Sequence, residues 1–368
     1  MSSQASSAGH GEQDVRRKIV ETGDVDVMIG IRPNFFYTRT VPCELWFFDR
    51  GKPANRKDKV LMLDARNIYR KVTRKINDFS NEQLQNLAAV VWLYRGQSAR
   101  FLDLVMRYFT QLCAEIVAIP SLLAAFDTTL LEQQKHFDGL AAAVESHPDL
   151  ETAKKQALVR GMSELNEATL YKADAKKLLV GLRAFSRDYT NNSPNTNKDQ
   201  HTARKAFDPL AEAIRGIVKQ VDLVYKVAAT LMELGTELAA DEAISVGYER
   251  RTSARVLKRL DQDRKFVVAQ LRQAAYLHRQ IVWLQDRFPK AELQAVPGLV
   301  KVVERADIAK ADWSLTPGRY VGVAPAEVDE DFDFEQTIRD IHVELTDLNR
   351  EANDLAKTIE DHFESLGL

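Results

Sequence analysis

The spacing of apolar residues changes twice along this chain. A small polar stretch, MSSQASSAGHGEQ, opens it and reads as a loop or flexible terminus. EQDVRRKIVETG follows with Val15, Ile19 and Val20 on one side and Gly23 as a stop, which predicts a short amphipathic helix. VDVMIGI, CELWFF and KVLMLDA are short apolar runs bounded by turn residues, and they predict three strands. The charged, Gly/Pro-containing segment DRGKPANRKDK joins the last two. Residues 14–66 therefore read helix, strand, strand, strand.

From Phe79 onward the period becomes helical. Ser80 and Gln83 form a capping-box pattern ahead of Leu84, Leu87, Ala88 and Val91. Helical spacing continues through SARFLDLVMRYFTQLCAEIVAI, which Pro120 interrupts, and through the segment from Glu151 to Phe185. NNSPNTNKDQ is a polar break. Beyond it, Leu260, Val267, Ala274, Ile281 and Phe288 recur every seven residues, with Leu271 and Leu284 widening the stripe. That is a helix-packing seam. Pro297, Gly298, Pro317, Gly318 and Pro325 then break regular structure. After an acidic segment, EVDEDFDFEQ, the final helix carries Ile338, Ile341, Leu345, Leu348, Ala352, Leu355 and Ile359 at alternating steps of three and four, a heptad seam. It is too short to be stable alone and is expected to dock on another surface.

Composition narrows the function classes. Lys and Arg number 51 against 53 Asp and Glu, a net charge of -2, so a uniformly basic nucleic-acid binder is excluded and a local basic face is not. Cys43 and Cys113 offer neither a disulfide framework nor a CxxC metal site, which suits a cytoplasmic setting. The start has no apolar signal core, and no apolar run approaches the roughly 20 residues that span a bilayer.

Motif searches for GxGxxG, GxxxxGK[ST], GxSxG and HExxH are all negative. Neither a catalytic residue nor a metal site is named. Two features carry chemistry. Phe35, Phe36 and Tyr37 form an aromatic cluster between two strands, where a loop is normally polar. They read either as core under the sheet edge or as a platform on which a base stacks. Arg251, Arg255, Lys258 and Arg259 begin a basic stretch that reads as a solvated helix face or as a track for phosphates.

VRRKIVETGDVDVMIGIRPNFFYTRTVPCELWFFDRGK, then KVLMLDARN, then WLQDRFPKAELQAVPGLVKVVERADIAKADWSLTPGRYVGVAP resemble, in that order, the modification subunits of type I restriction-modification systems. These are adenine-N6 DNA methyltransferases. The resemblance covers both ends of the chain, with the middle as the variable helical part. The departure is as informative. Such enzymes carry a Gly-rich S-adenosylmethionine loop and an Asn-Pro-Pro-Phe tetrapeptide, and neither is present. The chain thus resembles the C-terminal portion of such a subunit.

This resemblance implies an α+β fragment, mostly α. Residues 1–13 would be a flexible N-terminus. Residues 14–72 would supply edge strands of a class I methyltransferase sheet, poorly stable without the missing strands. Residues 73–300 would be the helical region, 301–330 an irregular connection, and 331–368 a coiled-coil-like helix for subunit docking. In the intact family a flipped adenine is held for methyl transfer from S-adenosylmethionine. The resemblance makes Phe36 the stacking aromatic, with Tyr37 next, and turns Phe35 inward. It makes Ile338, Ile341, Leu345, Leu348, Leu355 and Ile359 the seam for the DNA-recognition subunit. No cofactor is expected to bind this chain alone. DNA, the missing N-terminal half and the restriction subunit are the other implied partners, with no membrane. The competing readings are a helical interaction module or decoy without catalysis, and an enzyme of unrecognised chemistry.

Overall fold

A computed structural model describes residues 1–324 except 2, 10, 37–39, 74, 148–149, 191, 241 and 246–247, together with most positions between 338 and 359. The chain is mostly helical with a small mixed sheet. It divides into two compact units, residues 1–87 with 294–368, and residues 88–293.

In the first unit, α1 (Gly11–Glu21) leads into β1 (Val25–Ile31), β2 (Cys43–Phe48) and β3 (Lys59–Asp64). A hairpin of β4 (Arg70–Thr73) and β5 (Ile76–Asp78) follows, and α2 (Asn81–Tyr94) starts here. α2 opens with the reciprocal cap read from the sequence: Gln83 N–H donates to Ser80 Oγ at 3.2 Å, and Ser80 N–H donates to Gln83 Oε1 at 2.9 Å. The sheet order is β2-β1-β3-β6, where β6 is Val300–Glu304. β1 runs antiparallel to β2 and parallel to β3, and β6 runs antiparallel to β3. β1 and β3 are buried along nearly their whole length, which is why they read as unbroken apolar runs. Val20, Met28, Met62, Val303, Ile308 and Leu315 fill the core, with Trp46 and Trp313 packed against it.

β6 lies in the stretch read as an irregular connection. Its five residues follow a Pro-Gly break and run straight into α10 (Arg305–Lys310), so neither a bounded run nor a period of two stands out. The polar N-terminus is also more ordered than its composition suggests. The buried Arg16 guanidinium donates to the carbonyls of Ala5, Ala8 and Trp313, and Leu315 N–H donates to Ser6. The connection after β2 is likewise packed in. Lys52 is buried and its Nζ donates to the carbonyls of Val25 and Lys59, while Arg56 pairs with buried Asp26 at 2.9 Å.

β2 is different from its neighbours. It ends the sheet, and Leu45, Phe47 and Phe48 are exposed on it. Glu44 exchanges hydrogen bonds with Met1, its N–H donating to Met1 O at 3.0 Å and the Met1 amine donating back at 3.1 Å. Strand alternation turns the main-chain groups of Trp46 and Phe48 the same way, away from β1.

The second unit holds α3 (Ser98–Ile116), α4 (Ile119–Glu145), α5 (Thr152–Ala168), α6 (Tyr171–Thr190), α7 (Asn197–Leu238), α8 (Glu242–Ser245) and α9 (Arg250–Arg287). α9 packs on α3, α4 and α7 through the seven-residue stripe, and Leu260, Ala274, Ile281 and Phe288 are fully buried. Contrary to the expectation from the sequence, residues 98–145 contain a window long and apolar enough, by length and composition, to cross a membrane. Leu104, Phe109, Leu112, Phe126, Leu130 and Phe137 in that stretch are buried in the unit, the pattern of core helices. Polar side chains are also buried: Gln133 donates to Ser253 Oγ at 2.8 Å, and His278 bonds Asp208 at 2.9 Å beside the Phe207 ring.

Candidate nucleic-acid interface

The parallel strands β1 and β3 end side by side, and the loops beyond their carboxyl ends lie where ligands commonly bind in open α/β sheets. Arg32, Pro33, Asn34, Phe35 and Phe36 follow β1 directly. Asn34 takes a left-handed conformation, φ 69°, which a short polar side chain tolerates. The hairpin β4–β5 fixes this loop through one residue: Asn77 N–H donates to Asn34 O at 2.8 Å, and Asn77 Nδ2 donates to Pro33 O at 3.1 Å. Phe35 then stacks on Phe79 with ring centroids 4.6 Å apart. Phe36 is 50% exposed. Tyr37 lies outside the described residues. Arg32 covers the Tyr69 ring at 3.7 Å.

A row of charge crosses the same end of the sheet. Gly30 is paired with Glu44 on one side and Asp64 on the other. In-register partners point to one face, so two carboxylates flank a position without a side chain. Pro317 lies over that gap. Asp64 receives Arg66 through both carboxylate oxygens, at 2.9 and 2.6 Å. Gly318 sits under this pair; a Cβ there would lie 2.2 Å from Arg66 Nη2. The SLTPGRY stretch is thus specific because its turn must pass close to Asp64 and Arg66. Glu44 is buried, and its Oε2 has no hydrogen-bond partner among the described residues. Burial pushes this carboxyl above its usual range, against the pull of Arg66 and the chain amine.

The other expected residues fall elsewhere. Arg251, Arg255, Lys258 and Arg259 are all exposed on α9. Arg259 pairs with Glu132 of α4, Arg264 with Asp222 of α7 and with Asp261, and Lys265 with Asp261. Arg259, Arg264 and Lys265 are therefore answered by acids within the unit. The six seam residues from Ile338 to Ile359 are helical and between 43% and 60% exposed.

Residues 1–106 match the N-6 DNA methylase family. Over this stretch the chain is similar to that family. The relatives it resembles are methylase subunits of type I restriction enzymes. It is 33% identical over 87 residues to the type I restriction enzyme MjaIX methylase subunit of Methanocaldococcus jannaschii, which is 24% of this chain and 16% of that protein. It is 31% identical over 83 residues to the HindI methylase subunit of Haemophilus influenzae, 23% of this chain and 18% of that protein. The MjaVIII methylase subunit of M. jannaschii is 27% identical over 82 residues, 22% of this chain and 14% of that protein. The matched segments span less than a fifth of these relatives.

N-6 DNA methylases imply S-adenosylmethionine, and the residues described here do not fit it. A cofactor of this kind is cradled where a strand runs through a Gly-rich turn into a helix N-terminus. β5 passes to α2 without a glycine, and the N-terminus is closed by Ser80 and Gln83. β6 passes to the six-residue α10, whose cap is filled by Glu304 and Asp307. The loop after β1 leads to β2 rather than to a helix. No step of methyl transfer is therefore assigned to a residue of this chain.

Proposed function

We propose that this chain is the C-terminal portion of an adenine-N6 modification subunit, inactive alone, which works when joined by the part that carries the cofactor loop and the Asn-Pro-Pro-Phe motif. The carrying observation is the family match to residues 1–106 together with a sheet whose β2 edge leaves Leu45, Phe47 and Phe48 in solvent. Exposed apolar residues on an edge strand are what an interrupted sheet would leave. The strands β1 and β2 would be the hairpin pair at the far side of a methyltransferase sheet. Phe36 would stack the extruded adenine, with Tyr37 beside it, and Phe35 would support the loop from Phe79.

The seam Ile338, Ile341, Leu345, Leu348, Leu355 and Ile359 would pack on helices of the DNA-recognition subunit as a coiled coil. Arg251, Arg255, Lys258 and Arg259 would lie along DNA as a weaker contact. The restriction subunit would join the same assembly, in the cytoplasm. A second reading, a docking module or decoy without catalysis, draws on the same exposed seam and on the missing cofactor loop.

Co-expression with a type I recognition subunit and a separately encoded N-terminal half tests the proposal. The expected result is a complex that methylates adenine and falls apart when Leu345 and Leu348 are replaced by Asp. A complex that forms without the N-terminal half and never methylates in its presence would favour the decoy. No complex with either partner would overturn both.

A further inference from the structure

We propose that Arg32 holds the phosphate backbone of the DNA strand whose base stacks on Phe36, through a guanidinium seated on the Tyr69 ring. The inference deepens the reading above and rests on it for the extruded base.

Arg32 follows β1 directly, and Tyr69 lies five residues beyond the end of β3. Their contact joins the two loops that leave the carboxyl ends of the parallel strands. Both loops are fixed. Asn77 holds the main chain of Pro33 and Asn34, and Gln83 Nε2 donates to Tyr69 O at 3.1 Å. The guanidinium carbon of Arg32 lies 3.7 Å from the centre of the Tyr69 ring. Stacking of this kind sets the plane of a guanidinium and leaves N–H donors free along its edge.

This cation lacks an oxygen. Arg16, Arg17, Arg56, Arg66, Arg70 and Arg305 of the same unit each bond or pair with one. Arg32 forms no hydrogen bond or ion pair among the described residues, and its Nε is buried with no partner. A partly buried cation in this state is costly until an anion arrives. The guanidinium fork suits a carboxylate or a phosphate equally well. Phe36 decides between them. It stands four residues after Arg32, at most about 14 Å of extended chain, and its ring is half-exposed. A base on that ring brings its own phosphodiester groups to the same loop. Phosphate contacts position a protein without reading sequence, so Arg32 is a positioning residue and leaves the choice of base to other groups.

The test uses the whole chain and a fluorescein-labelled duplex carrying 2-aminopurine opposite an abasic site. Anisotropy across a salt series and 2-aminopurine fluorescence are measured for wild type, Arg32→Gln, Arg32→Lys, Tyr69→Leu and Phe36→Ala. One lost phosphate contact lowers the slope of log K against log salt by about 0.9. Arg32→Gln is expected to show that loss. Arg32→Lys and Tyr69→Leu keep the charge and lose the stacked fork, so both are expected to keep the slope and bind about threefold more weakly. Phe36→Ala is expected to keep the slope and lose the quenching of 2-aminopurine. An unchanged slope in Arg32→Gln, with quenching that still depends on Phe36, would overturn the phosphate contact and leave the base-stacking reading standing. It would point instead to a carboxylate of the missing half as the partner of Arg32. Equal loss of slope in Arg32→Gln and Arg32→Lys would also overturn the contact, because charge would not be its cause. A slope lost only in Arg32→Gln, without any quenching by wild type, would support the contact and remove the base-stacking role. No binding of duplex by wild type at low salt would overturn the contact outright.

Discussion

Single residues decide the local geometry of the first unit, and most of them were hidden in the sequence by their polarity. Arg16 reads as one more basic residue of an amphipathic helix, yet it is buried and bonds the nearby carbonyls of Ala5 and Ala8 together with that of Trp313, 297 residues away. Arg16→Met is expected to leave those carbonyls unpaired and to destabilise this unit by about 2–4 kcal/mol, measured by denaturant unfolding. Glu44 reads as an ordinary polar residue at the start of a strand. Burial holds its folded pKa above the 4.5 of a free glutamate, so the folded state binds the proton more tightly than the unfolded chain. The stability this contributes is complete below that value and is lost as pH rises through the folded pKa. Glu44→Gln should therefore be more stable than wild type at about pH 8, with the gap closing toward about pH 4. His278 works in the opposite direction. Burial lowers its pKa below 6.5 despite Asp208, so its contribution is present above that value and is lost as pH falls through the folded one. His278→Gln should flatten the acid limb of the helical unit's unfolding curve. Phe36 was legible as a candidate because an aromatic cluster interrupts a loop. The inward turn of Phe35 onto Phe79 follows from the hold of Asn77, a residue no pattern singled out.

Elements with a clean period were legible, and elements made by tertiary pairing were not. The three strands before residue 66, the Ser80–Gln83 cap and the seven-residue stripe of α9 all appear where apolar spacing placed them. β6 escaped because its partner, β3, lies far away in sequence and its own run is broken at once by α10. The β4–β5 hairpin escaped because β4 is exposed throughout and the one buried position of β5, Asn77, is polar. The turn at Pro317–Arg319 shows how one glycine can be required by a neighbour rather than by its own backbone. Gly318→Ala is expected to push Arg66 off Asp64 and cost about 1–3 kcal/mol by the same unfolding assay. A Gly318→Ala chain as stable as wild type would mean that Arg66 can re-seat freely.

For the whole molecule the central claim is one of incompleteness. Residues 1–106 match the N-6 DNA methylases, but the Gly-rich loop and the Asn-Pro-Pro-Phe tetrapeptide that the resemblance leads one to expect are not in the sequence. No described strand leads through glycine into an open helix N-terminus. The edge of β2 and the seam from Ile338 to Ile359 both leave large apolar side chains in solvent, at two places where the family reading expects further polypeptide. The measurement that tests this most directly is calorimetry of S-adenosylmethionine on the purified chain, alone and mixed with the N-terminal half of a relative. The account predicts no heat of binding with the chain alone, and binding followed by adenine methylation once the missing half and the recognition subunit are added. Binding of S-adenosylmethionine by the chain alone would contradict it.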